Sequence, residues 1–354
     1  MRRYSRVIDV LRKGGVVAVP TDTVYGLVSD ARNPDAVQRI YEVKRRPKDK
    51  PLVLFPNRSM DLREVAEIGD DACKLIDAFW PGALTVVLKA TGSAPGLLVS
   101  RGKIGMRVPR HPLLEDLLSE LEFPLASTSA NISGSPPLHT KEEVEKYLGG
   151  RIDLIVGERA LGQLPSTVID LSGERPIVLR KGAISLRDIE SVLGKDVLLS
   201  GEQSFTLLFL CTGNTCRSPM AEYIFKSKLP SELRDKVRVI SAGISPPMGS
   251  GINPEAERVL KELGISGAAH RTRSLTPNLI EEADLILGME NFHVSFAVEL
   301  GAGSKALLFG ADRYEEVPDP IGSDVEFYRN VRDMIVEVIE RIWLPYVLRK
   351  FSVS

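Results

Sequence analysis

Cysteine is scarce in this sequence: 354 residues hold three, Cys73, Cys211 and Cys216. Three thiols cannot build a disulfide scaffold, and such usage fits a reducing compartment, where the Asn131-Ile132-Ser133 sequon has no bearing on glycosylation. Histidine is as sparse, with four scattered residues, so a zinc site has too few soft or imidazole ligands. The N-terminal "MRRYSRVIDVLRKGG" lacks the continuous apolar stretch of a signal peptide or membrane span, which leads us to expect a cytoplasmic protein without membrane partners. Charge of one sign is missing too. Against 46 Lys+Arg stand 47 Asp+Glu, a net −1; residues 1–200 carry 29 against 26 (+3) and the remainder 17 against 21 (−4). Neither half is a polyanion-binding module on charge alone. There is no internal repeat, no low-complexity tract and no G-x4-G-K-[ST] element, so a nucleotide would have to be held by separated cationic groups.

What is present is ordinary globular composition, 43% hydrophobic and 26% charged, over a length that predicts two domains. Val7, Ile8 and Leu11 share a helical face that Gly14-Gly15 ends, and the apolar "VVAVP" after it reads as a buried strand. "LTVVLKA", "PLASTSA", "DLIVG" and "STVIDL" follow as short strands among turns, giving a mixed α/β domain over residues 1–202. "SLRDIESVLGKDVLLSGEQS" reads as a terminal helix, a short strand and a polar tether. From residue 203 to 354 the strands "FTLLFL", "VRVISAG", "DLILGM" and "KALLFG" alternate with helices, the last being "DVEFYRNVRDMIVEVIERIWLPYVL". That alternation predicts a four-stranded parallel sheet with helices on both faces. Cys73, in "DDACKLIDAFW", is expected in the core beside Ile76 and Phe79.

In "FLCTGNTCRSPMAE" the strand ends at Cys211 and a helix is expected from Ser218-Pro219, with Ser218 as N-cap and Pro219 first in the helix. Backbone N–H groups and the helix dipole then converge on the Cys-x5-Arg loop, a place for an oxyanion. A thiol there is expected to ionise readily, Arg217 can clamp phosphoryl oxygens in bidentate fashion, and the pair points to phosphoryl transfer through a cysteinyl-phosphate. Asp319 in "VPDPIG" is the candidate proton donor. Cys216 is either a small packed residue or a reversible disulfide partner that shields Cys211. The two cysteines lack the Cys-x-x-Cys spacing of a redox pair.

With "SAG" at 241–243, "HRTRSLT", "ADLILGME" and "DPIG", this stretch resembles the low-molecular-weight protein phosphatase family from about Phe205 onward. The resemblance implies a cofactor-free phosphatase of phosphorylated proteins. It makes Cys211 the nucleophile, Arg217 the phosphate ligand and Asp319 the acid and then the base. Asn214 and Ser218 orient the loop, and His270 supports it. Thr215, and the Ile321-Gly322 that replaces the aromatic pair following Asp-Pro in phosphotyrosine enzymes, resemble the branch acting on phosphoarginine; both substrates stay open.

"KRRPKDKP" at 44–51 concentrates five basic residues. It stands in order with "PTDTVYGL", "WPGALTVVL", "MRVPRHP", "STSANISG", "STVIDL" and "LRKGAIS", and this ordered set resembles the YrdC/TsaC family over about residues 5–190. The resemblance implies synthesis of threonylcarbamoyl-AMP from L-threonine, bicarbonate and ATP with Mg²⁺, feeding a tRNA-modification machinery. It places Lys44, Arg46, Asn131 and Arg180 on ATP, and Thr21, Arg107, Ser129 and Ser166 on threonine or its carbamate. No resident metal is implied. Phe55 and Lys103 depart from the histidine and threonine common in relatives. The alternative for residues 1–202 is a non-catalytic nucleotide- or RNA-binding module; the intact Lys-x-Arg and Ser-x-Asn pairs favour catalysis.

Overall fold

The computed structural model describes residues 4–310 and 316–351, and the chain divides into two compact units. The first comprises residues 1–184 and 191–197, the second 185–190 and 198–354.

In the first unit the strands are β1 (Val17–Val19), β2 (Gly26–Asp30), β3 (Val53–Phe55), β4 (Leu84–Lys89), β5 (Val99–Ser100), β6 (Lys103–Met106), β7 (Leu125–Ser129), β8 (Leu154–Ile155), β9 (Thr167–Asp170) and β10 (Ile177–Arg180). They form a mixed sheet in the order β10-β9-β4-β6-β3-β7-β2-β1-β8, with β5 beside β6. The pairs β3–β6, β4–β9 and β1–β8 are parallel and the others antiparallel. The helix Ser5–Arg12 buries Val7, Ile8 and Leu11 as its periodicity predicts, and Gly14 (φ 78°) supplies the left-handed turn that ends it. Those side chains join Val17, Val19, Val28, Phe55 and Leu125 in one apolar core. Cys73 corrects an expectation. In the helix Asp70–Phe79 only Ala72 and Leu75 are buried, and Cys73 sits half-buried at the flank because its turn faces partly outward.

The second unit opens with β11 (Leu198–Leu199), then builds a sheet from β12 (Phe205–Cys211), β13 (Val237–Gly243), β14 (Leu285–Gly288) and β15 (Ala306–Leu308), in the order β13-β12-β14-β15 and parallel throughout. All seven residues of β12 are buried, which explains its unbroken apolar run. The long C-terminal helix is not continuous. It runs Val325–Val338, widens to a π-turn over Ile339–Trp343 and resumes as Leu344–Arg349. Pro345 has no N–H to donate one turn back and its ring crowds that carbonyl, so the wider turn sits just ahead of it.

Candidate active sites

In the first unit, the helix Pro34–Lys44 is capped by Asn33, whose side chain accepts from the backbone of Asp35 and Ala36. It stops where Arg45 turns left-handed (φ 50°), leaving Lys44 pointing inward from its last turn. Lys44 is 1% exposed. Its ammonium donates to the Ser129 carbonyl, to Asn131 O (2.6 Å) and to Asn131 Oδ1 (2.9 Å). The Ser129 hydroxyl donates to the same Asn131 Oδ1 at 2.6 Å. Burial, then the nearby Arg46 charge, brings the Lys44 pKa down to about 7. Arg46 itself folds over its own loop, donating to Lys50 O and Pro51 O.

A second group forms around the β1–β2 connection. The Arg107 guanidinium, buried, donates to Gly82 O (2.9 Å), Thr23 Oγ1 (3.1 Å) and Asp22 Oδ1 (2.5 Å). Thr23 and Thr21 hydroxyls meet at 2.8 Å, and Thr21 donates on to Val24 O at 2.7 Å. The third group is Ser166 with Arg180. Arg180 reaches Ser166 O (2.8 Å) and Oγ (2.9 Å), and Thr85 Oγ1 lies 2.9 Å from that same hydroxyl. Arg180 as a whole stays exposed, yet its guanidinium is packed down; this desolvation, then the charges of Arg107 and Arg46, lowers it to about 10. Arg180 therefore feels the charges of both other arginines. Phe55 lies in the apolar core, and Lys103 pairs with Asp170 at 2.7 Å. Asp22, Thr23 and Thr85 were not foreseen, although the first two lie inside "PTDTVYGL".

In the second unit the loop after β12 is held from several sides. The Cys211 sulfur, 3% exposed, lies 3.0 Å from Ser218 Oγ and accepts the Asn214 N–H at 3.2 Å. Asn214 is left-handed (φ 53°), and its amide donates to Ser218 Oγ (3.0 Å) and Ser241 Oγ (2.9 Å). His270 Nε2 meets the Asn214 carbonyl at 2.7 Å, and burial lowers the His270 pKa. The helix starts at Arg217 with Cys216 in the cap position, two residues earlier than the sequence suggests. Ser218 is thus inside the first turn, free to turn its hydroxyl to Cys211 instead of capping the helix. Arg217, 1% exposed, donates to Glu290 Oε2 (2.7 Å), Val317 O (2.9 Å) and Asp319 Oδ2 (2.6 Å). Cys216 and Cys211 are both free thiols. Cys216 touches Tyr328 Oη and Thr215 Oγ1 at 3.5 Å, and burial pushes its thiol up.

The sequence expectations thus converge on one cradle containing Cys211, Asn214, Thr215, Cys216, Arg217, Ser218 and His270, with Asp319 across it. Glu290, His293 and Tyr328 were missed, since they arrive from later elements and no spacing ties them to the loop. Among the described residues no group of three His, Cys, Asp or Glu side chains could hold a metal ion, and no helix is long and apolar enough to cross a membrane.

The parallel sheet with its Cys-x5-Arg loop defines the second unit as a thiol-phosphatase type, and the first is a mixed sheet of the YrdC type. A family model for Sua5/YciO/YrdC, described as "Telomere recombination", matches residues 9–182, and one described as "Low molecular weight phosphotyrosine protein phosphatase" matches 206–350. The chain belongs to the Sua5/YciO/YrdC family and carries a low-molecular-weight phosphatase domain after it. A threonylcarbamoyl-AMP synthase of Bacillus subtilis is 40% identical over 197 residues, 54% of this chain and 57% of that relative. The chain thus spans little more than half that relative's length. One of Vibrio parahaemolyticus is 33% identical over 51% of this chain and 100% of its own. The solved structure of P. abyssi Sua5 complexed with L-threonine is 27% identical, with a TM-score of 0.53, covering 85% of this chain and 94% of that one.

Proposed function

We propose that the protein is bifunctional, making L-threonylcarbamoyl-AMP in its first unit and hydrolysing phosphorylated proteins in its second. For the first activity the carrying observation is the buried clamp that Lys44 makes on Ser129 and Asn131, with the Arg46 charge felt by both Lys44 and Arg180 and the Arg107 charge felt by Arg180. Grouped cations suit a triphosphate and a carboxylate, and adenylyl transfer needs charge neutralised at the α-phosphate. The threonine amine adds to bicarbonate, whose hydroxyl leaves as water, and an oxygen of the resulting carbamate attacks that phosphorus while pyrophosphate leaves. Thr21, Ser166 and Arg107 bind threonine, and the rest is positioning. Asp22 is engaged by Arg107, so Mg²⁺ finds no acidic cage in these residues and enters as the counter-ion of ATP. The product feeds tRNA modification, which makes that machinery an indirect partner. Pyrophosphate release that depends on ATP, bicarbonate and threonine together tests this reading; release indifferent to threonine overturns it.

In the second unit the Cys211 sulfur attacks phosphorus while Arg217 grips two phosphoryl oxygens, and Asp319 protonates the departing atom. Water, deprotonated by Asp319, then cleaves the sulfur–phosphorus bond and frees phosphate. The carrying observation is the Cys211 sulfur held by Ser218 and Asn214 beside an Arg217 that already meets Asp319. Phosphoarginine is the favoured substrate, because Thr215 puts a hydroxyl on the loop where an apolar residue suits an aryl ester, and Ile321 rather than an aromatic pair follows Asp319-Pro320. Cys211→Ser is expected to abolish turnover with the fold intact. Thr215→Ile should shift the ratio of phosphoarginine to phosphotyrosine hydrolysis toward phosphotyrosine by about tenfold or more, the scale of one lost polar contact; an unchanged ratio removes Thr215 from specificity.

A further inference from the structure

His293, third in the helix Asn291–Glu299, is fully buried beside the phosphate loop, and nothing in the mechanism above uses it. Its Nδ1 accepts the backbone N–H of Glu290 at 3.0 Å. An imidazole whose Nδ1 accepts must carry its single proton on Nε2 when neutral. That Nε2 lies 3.0 Å from Thr212 Oγ1, so the ring donates to the residue that follows the nucleophile. Burial and the Arg217 charge keep the ring neutral, which fixes the direction of this bond. Thr212 is pinned a second time, its carbonyl accepting the Ser245 N–H at 3.0 Å. In a trans peptide the next N–H points opposite to that carbonyl, so holding Thr212 from both sides sets the direction of the Gly213 N–H. On its other side His293 fixes the start of the segment whose Glu290 carboxylate binds Arg217 at 2.7 Å.

Resting on the phosphatase reading, we infer that His293 is a positioning residue of the phosphate loop: it ties Thr212 to Glu290 and so sets the first loop peptide and the Arg217 guanidinium in one frame. It touches neither the reacting sulfur nor phosphorus. The loop amides and Arg217 must match the transferring phosphoryl group more closely than the resting ester, so loosening the frame lowers kcat more than it raises KM.

The test uses the full chain with p-nitrophenyl phosphate as substrate and inorganic phosphate as competitive probe. His293→Asn keeps an acceptor for the Glu290 N–H but falls short of Thr212, whereas His293→Gln places an amide N–H near the Nε2 position. Thr212→Val removes the same bond from the other side and leaves the helix start alone. His293→Asn and Thr212→Val should each lower kcat about 10- to 100-fold, a misplacement effect, with smaller changes in KM and weaker inhibition by phosphate. Their combination should be no worse than either alone, and His293→Gln should recover most of the loss. Fully additive losses in the double variant, or wild-type kcat in Thr212→Val, overturn the inference. Wild-type chain inert toward the aryl phosphate and indistinguishable from Cys211→Ser would overturn the phosphatase reading itself.

Discussion

Burial and the Arg217 guanidinium hold the His293 pKa down to about 3, against an ordinary value of 6.5. The unfolded chain therefore binds a proton between those values that the folded chain refuses, and the second unit loses stability as pH falls from about 6.5 toward 3. Glu290, whose Oε2 lies 3.7 Å from Nε2, and Arg217 are charged groups facing the ring, and burial first, then the Arg217 charge, sets the sign. His293→Gln should flatten the dependence of the urea midpoint on pH between 7 and 5 by less than the one-proton limit of about 1.4 kcal/mol per pH unit. An unchanged slope would mean that His293 titrates normally. Cys211 and Arg217 were legible in the sequence because one strand-to-helix loop carries both and five residues fix their separation. Glu290 and His293 were not, since β14 brings them alongside from 73 residues beyond Arg217 and 81 beyond Thr212, and only the parallel register places them there. Cys73 was misjudged because an apolar helical face has a flank as well as a centre.

At the scale of elements, β13 ends in Gly243 hard against the phosphate loop. A Cβ there would sit 2.6 Å from Thr212 O and 3.0 Å from Asn214 N, both backbone atoms that cannot swing aside. Gly243→Ala should therefore displace the loop, costing about 1–3 kcal/mol in stability and a larger share of the aryl phosphatase rate than of the synthase rate. Measuring both activities on one preparation checks this; equal losses would point to general misfolding. Strands were readable where an apolar run met a glycine or proline, as at "VRVISAG" and "LTVVLKA". The helix start after Cys211 was read two residues late, because Ser218-Pro219 carries a strong capping signal while the loop needs the Ser218 hydroxyl for the Cys211 sulfur. The π-turn before Pro345 was hidden as well, since helical periodicity runs on through it.

At the scale of the whole molecule, the two units do not divide at a single residue, because "SLRDIE" at 185–190 packs with the second one. Glu190 is the reason that can be named. Its carboxylate takes the buried ammonium of Lys350, and Tyr346 Oη donates to Glu190 Oε2 at 2.8 Å. The Lys350 ammonium also lies 3.8 Å from the Tyr346 ring centroid. Nothing in the local pattern of "SLRDIE" announces this, for its partner stands 160 residues on, at the residue that ends the last helix. Removing one member of a buried pair typically costs about 3–5 kcal/mol, because the charge left behind keeps its desolvation cost and loses its counter-charge. Glu190→Gln in the full chain should then lower the urea concentration at which aryl phosphatase activity disappears. Adding Lys350→Met to that variant removes the stranded ammonium and should restore part of the loss, since an apolar replacement of both partners is often neutral. If the single change has no effect, residues 185–190 contribute shape rather than charge to the second unit; if the double is as weak as the single, the loss lies in the Tyr346 bond instead.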